Sequence, residues 1–93
     1  MNNPLDQKGV LTVVLEHFEK YVLPRIFDIK AAVDSGGTLS NLDIQFLDEA
    51  LNDTRQYEGF VEDHSDYKEL FARTAHLYHE ITTKALENEK LIN

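Results

Sequence analysis

An apolar stripe at helical spacing, Leu11, Val14, Leu15, Phe18, Val22, Ile26, Ile29 and Val33, runs through the first third of the chain and keeps its phase across Pro24. At about 100° per residue these positions fall within about a third of a helix circumference, the width of a side that faces a core. A proline inside a helix removes one backbone donor and crowds the carbonyl four residues back, at a cost of about 3 kcal/mol. A break in the chain would free the second segment to restart in any register. Because the register is kept, the stripe predicts one long helix kinked at Pro24, in preference to a new helix that Pro24 begins.

The rest of the chain reads as two further helices. Asn3 before Pro4 resembles a cap followed by proline at the first helical position, and Asp34-Ser35-Gly36-Gly37 is a stop, since glycine adopts the left-handed conformation that closes helices. Ser40 with Asp43 three residues on forms a capping box, and Leu39 and Ile44 are spaced for a hydrophobic staple. The second helix would turn Leu42, Phe46, Leu47, Ala50, Tyr57, Phe60 and Val61 inward. Ser65 or Asp66 would cap the third, which aligns Tyr67, Leu70, Phe71, Thr74, Leu77, Tyr78, Ile81 and Ala85 on one side and sets Glu69 against Arg73 and Glu80 against Lys84 outside. The expected fold is therefore all-α: a single domain over residues 1–93, a small antiparallel three-helix bundle with helices at about 5–34, 41–63 and 66–89.

Composition narrows the function more than it names it. The 93 residues carry 17 acids against 9 bases, a net charge of −8, which argues against direct nucleic-acid binding because that needs a clustered basic face. With no cysteine, thiolate metal sites, disulfides and cysteine nucleophiles drop out. The opening residues MNNPLDQKGV lack the basic and apolar regions of a signal peptide, and the apolar runs are too short for a bilayer, so the expected compartment is the cytoplasm, with no membrane association.

No catalytic constellation stands out. Ser35, Ser40 and Ser65 sit where turns and caps already explain them, and Gly36-Gly37 lacks the lysine of a phosphate-binding loop. His76, His79 and Glu80 share one predicted helix, but bundle metal sites need an inward glutamate three residues before a histidine, and those positions hold Arg73 and His76. Glu16, His17 and Glu19 do not form the paired-histidine arrangement of zinc hydrolases. His64 falls in phase with the inner side of the second helix and could titrate there. The acidic group Glu62, Asp63 and Asp66 lacks the alternation of a calcium loop. An acidic band of Asp48, Glu49, Glu58, Glu62 and Asp63 on the second helix offers a different reading, imitation of a phosphate backbone toward a basic partner.

What a three-helix monomer explains least is a second apolar face on the first helix. Val13, Leu23 and Phe27 lie opposite the stripe, and such a face calls for a cover. The tail after Ala85, with Leu86, Leu91 and Ile92, could fold back over it; otherwise a protein partner or a second copy does so. The sequence thus points to a non-enzymatic protein-interaction or adaptor module without cofactor or metal, with Val13, Leu23 and Phe27 as partner-binding residues. The competing readings are a metal-binding protein with histidine and glutamate ligands, and the acidic nucleic-acid mimic.

Overall fold

The computed structural model describes residues 4–56 and 65–92, with backbone alone for residues 4–8, 10, 11, 65, 66 and 92. Among the described residues, three helices and no strand make up the fold. The first runs unbroken from Pro4 to Asp34 in three parts: α1 (Pro4–His17), a π-helical turn (Phe18–Val22) and α2 (Leu23–Asp34). The second is α3 (Asn41–Gln56) and the third is α4 (Ser65–Ile92). The molecule measures 55 × 20 × 18 Å, and α4 alone would span about 42 Å of its length.

Pro24 lies inside the continuous helix, so it does not begin a new one. Val22 and Leu23 both keep right-handed helical dihedrals, and the Leu23 N–H reaches back five residues to the Phe18 carbonyl instead of four. That wide turn immediately precedes the proline. Pro24 then occupies the second position of α2, where no α-type partner is needed for the missing N–H.

The stop after Asp34 is a complete Schellman motif. Gly36 takes φ +103°, its N–H donates to the Val33 carbonyl at 2.9 Å, and the Gly37 N–H donates to the Ala32 carbonyl at 3.0 Å. Gly37 is excluded from carrying a side chain by contact, since a Cβ there would meet the Ala32 oxygen at 2.8 Å. The start of α3 is equally local in origin. The Ser40 N–H donates to Asp43 Oδ2 at 3.2 Å while the Asp43 N–H donates to Ser40 Oγ at 3.1 Å, the reciprocal capping box expected from the two residue types.

Packing follows the expected faces of the first and third helices closely. Phe18, Val22, Ile26, Ile29 and Val33 meet Leu70, Leu77, Ile81 and Ala85 in one core, with Leu47 and Ala50 closing it from α3. Val14 and Leu15 are half-buried, and Leu15 packs with Tyr67 at the other end of the molecule. The cross-contacts Leu15 to Tyr67, Lys30 to Glu80 and Val33 to Asn88 climb both helices together, so the first helix and α4 point the same way. Asn88 also reaches Gly37, just before α3, whereas Asp48 further along α3 meets Tyr78, so α3 descends α4.

Several expectations need correction. Leu42 is 72% exposed and does not belong to the inner face of α3. That face centres on Leu47, Ala50 and Thr54, and Leu42, five residues before Leu47, lies about 115° away from its centre. The buried threonines Thr54 and Thr74 satisfy their hydroxyls within their own helices, on the Leu51 carbonyl at 2.6 Å and the Leu70 carbonyl at 2.9 Å. The tail does not fold back, because α4 continues as helix to Ile92 and leaves Leu86 and Leu91 exposed. Asn3 as a cap, the run of the second helix through residue 63 with Tyr57, Phe60 and Val61, and the roles of Ser65 and Asp66 lie outside the described residues and side chains.

Candidate functional site

The first helix carries the residues that the sequence assigned to a partner, and the π turn decides how they are displayed. Val13 and Phe27 are fourteen residues apart, which in an uninterrupted α-helix puts them about 40° apart on the circumference. A π turn accommodates one extra residue, which takes about 100° out of the rotation and leaves them about 140° apart. The single face expected from Val13, Leu23 and Phe27 is therefore divided between two sides of the helix.

On one side Val13 lies one turn before His17, and the His17 ring stacks obliquely on Tyr21 with centroids 5.3 Å apart. Val13 is 66% exposed and Tyr21 67%, so two large apolar surfaces flank the imidazole along a stripe in contact with solvent. Glu16, Glu19 and Lys20 are also exposed here. On the other side Leu23 is half-buried and packs against the core, while Phe27 remains 39% exposed. The guanidinium of Arg73, from α4, lies 5.5 Å from the centre of the Phe27 ring, and this cation–π contact covers part of what had seemed a free face. Arg73 is thereby drawn away from its expected role opposite Glu69.

Further along, the charges form a chain between two helices. Lys30 Nζ donates to Asp34 Oδ2 at 2.6 Å and lies 3.8 Å from Glu80 Oε2, whose other oxygen meets His76 Nε2. The Asp34 hydrogen bond leads the causes that raise the Lys30 pKa above its ordinary value, partly opposed by desolvation and aided by the charges of Asp34 and Glu80. Lys84 pairs with Glu87 at 3.8 Å, not with Glu80 as the sequence suggested. All these groups are solvated, so each pair adds little to stability.

Other candidates separate in space. Among the described residues no group of three histidine, aspartate or glutamate side chains is placed to hold a metal ion. His76 and His79 are both exposed, His64, Glu58, Glu62 and Asp63 lie outside the described residues, and Asp66 is described by its backbone alone. Ser40 is engaged in its cap. In the acidic band, Asp48 is tied to the bundle by the Tyr78 hydroxyl, which donates to its Oδ1 at 2.7 Å. On α3, Arg25 of α2 lies over the Phe46 ring, 4.3 Å from its centre.

Tyr21, Arg73 and the π turn were missed in the sequence. Tyr21 sits beside the stripe without belonging to it, one turn after His17, and its ring contact with the imidazole has no signal in the apolar pattern. Comparison of this chain with family models, with curated proteins and with solved structures finds no match. Among the described residues no helix is long and apolar enough to cross a membrane.

Proposed function

We propose that this chain is a small cytoplasmic protein-interaction module, without catalytic activity, that docks through its first helix. The reading rests on one observation: Val13 and Tyr21, flanking His17, present two large exposed apolar surfaces on one stripe of a continuous helix. In a protein of 93 residues, which has little core to spare, a cover over such a stripe stabilises both partners of an interface. Phe27 and Leu23 contribute at a second edge, where Arg73 already shares the contact. A second copy of the chain is the simplest occupant, because a two-fold axis pairs the same stripe with itself. Direct binding to nucleic acid is not part of this reading, given the net charge of −8.

Sedimentation of the full chain tests the proposal. The unmodified protein is expected to dimerise with rising concentration, and the double change Val13→Ser with Tyr21→Ser to give a helical monomer. Phe27→Ser should weaken association less. Two copies of an acidic chain repel each other, so added salt should tighten the dimer, whereas it would loosen a complex with a basic partner. A monomer at every concentration and ionic strength would remove the case for self-pairing.

A further inference from the structure

The exposed stripe of Val13, His17 and Tyr21 has two flanks of opposite character. Thr12, Glu16 and Lys20, each one position earlier, lie about 100° round the helix on one side, and all three are exposed. Val14, Phe18 and Val22, each one position later, lie about as far round on the other side, where Val14 is half-buried and Phe18 and Val22 enter the core. One edge of the stripe is therefore charged and open to water, and the other is apolar and turned to the bundle. Among the described residues neither Glu16 nor Lys20 takes part in an ion pair.

A second copy can meet this stripe in two ways, and the flanks distinguish them. A two-fold axis along the helices runs both chains in one direction and sets the charged flank of each against the apolar flank of the other. Glu16 and Lys20 would then lose water to Val14 and Phe18 of the other copy, with no opposite charge in return, which is unfavourable. A two-fold axis across the helices, through His17, runs the chains in opposite directions and joins like flanks, charged to charged and apolar to apolar. Val13 then lies opposite Tyr21 of the other copy, a small side chain against a large one. Along the charged flank, Lys20 of each copy stands about 3 Å of helix rise from Glu16 of the other. Two unlike pairs form, against a single approach of Glu16 to its own symmetry mate.

We propose that the second copy docks on this stripe in antiparallel orientation and that Glu16 and Lys20 set the direction. The inference rests on the self-pairing reading of the first helix. Charges that flank an apolar helix seam are a general means of choosing between partner orientations. At a solvated rim they add little affinity, so their role is selection, and the mutual repulsion of two chains of net charge −8 still governs the response to salt.

One spin label per chain measures the orientation, and the absence of native cysteine makes labelling direct. Ala31 is exposed and stands fourteen residues past His17, far from the two-fold axis. Antiparallel pairing of Ala31→Cys places the two labels about 40 Å apart, whereas parallel pairing sets them level and below about 25 Å. Sedimentation of unlabelled variants measures the charges. Lys20→Glu should weaken the dimer about tenfold more than Lys90→Glu, which makes the same change in net charge on the exposed end of α4. A dimer with the short label distance would overturn the orientation and leave self-pairing standing. Equal weakening by the two lysine variants would show that Lys20 meets no carboxylate across the axis, and would overturn the proposal as well. A monomer at every concentration would remove self-pairing and the orientation with it.

Discussion

Replacing Asn88 by alanine tests the contact that ties all three helices together at one end. Asn88 is 4% exposed, and its Nδ2 donates to the Val33 carbonyl and to the Gly37 carbonyl, both at 2.8 Å. One acceptor belongs to the last turn of α2 and the other to the loop that leads into α3, so a single amide on α4 clamps the Schellman motif from outside. The two oxygens differ in what they lose. The Val33 carbonyl keeps the Gly36 N–H at 2.9 Å, whereas among the described residues no other donor to the Gly37 carbonyl stands beside Asn88. Two hydrogen bonds at about 1 kcal/mol each, with a further contribution from the space left by the amide, give an expected loss of about 2–3 kcal/mol. In a domain of this size that corresponds to a fall in Tm of about 8–24 °C.

Urea denaturation followed by circular dichroism measures the loss, and amide exchange at Gly36 and Gly37 locates it. Asn88→Asp sharpens the test, because it keeps the shape but turns a donor toward two carbonyl oxygens into an acceptor. That variant should be worse than alanine at neutral pH. Its buried carboxyl would have a raised pKa, so protonation restores a donor and stability is expected to recover as the pH falls. A loss below about 0.5 kcal/mol for Asn88→Ala, with exchange at Gly36 and Gly37 unchanged, would show that the loop is held by its own backbone bonds and refute the clamp.

Two further outcomes are expected. Ser40→Ala should cost about 0.5–2 kcal/mol through loss of the α3 cap, and combination with Asp43→Ala should cost less than the sum, since the two side chains cap reciprocally; thermal melts of the three variants give both quantities. Tyr78→Phe should cost about 0.5–1.5 kcal/mol in urea titrations by removing the hydroxyl donor to Asp48. The hydrogen bond to Asp48 is the leading cause that raises the Tyr78 pKa above its ordinary value of 10.0, with desolvation and the Asp48 charge adding to it and Arg55 opposing. The folded value therefore exceeds the unfolded one: this stabilisation is fully present below pH 10 and is lost as the pH rises through the folded value, a slope that should be absent in Tyr78→Phe.

The parts of this fold that were legible in the sequence are those whose physics is local. Ser40 and Asp43 cap each other across three residues, Gly36 supplies a left-handed dihedral where Asp34 ends a helix, and the line from Tyr67 to Ala85 is buried because one helical period places every member on one side. None of these needs knowledge of a neighbouring helix. Asn88, Arg73 and Leu42 do. An asparagine near the end of a helix reads as a surface residue until the Val33 and Gly37 carbonyls arrive beside it, and Arg73 reads as half of an ion pair until the Phe27 ring offers its face. Leu42 looks buried by composition, and only the direction from which α3 meets the core turns it to water. The first helix shows both cases within a few residues. Its apolar stripe determined that the chain continues as helix past Pro24, because burial rewards periodicity along one strand of chain. The register in which it does so was decided in three dimensions: four-residue spacing alone sets Val13, His17 and Tyr21 on one stripe, whereas the five-residue closure to the Phe18 carbonyl, which no residue in the pattern announces, sets the side on which that stripe stands relative to Phe27.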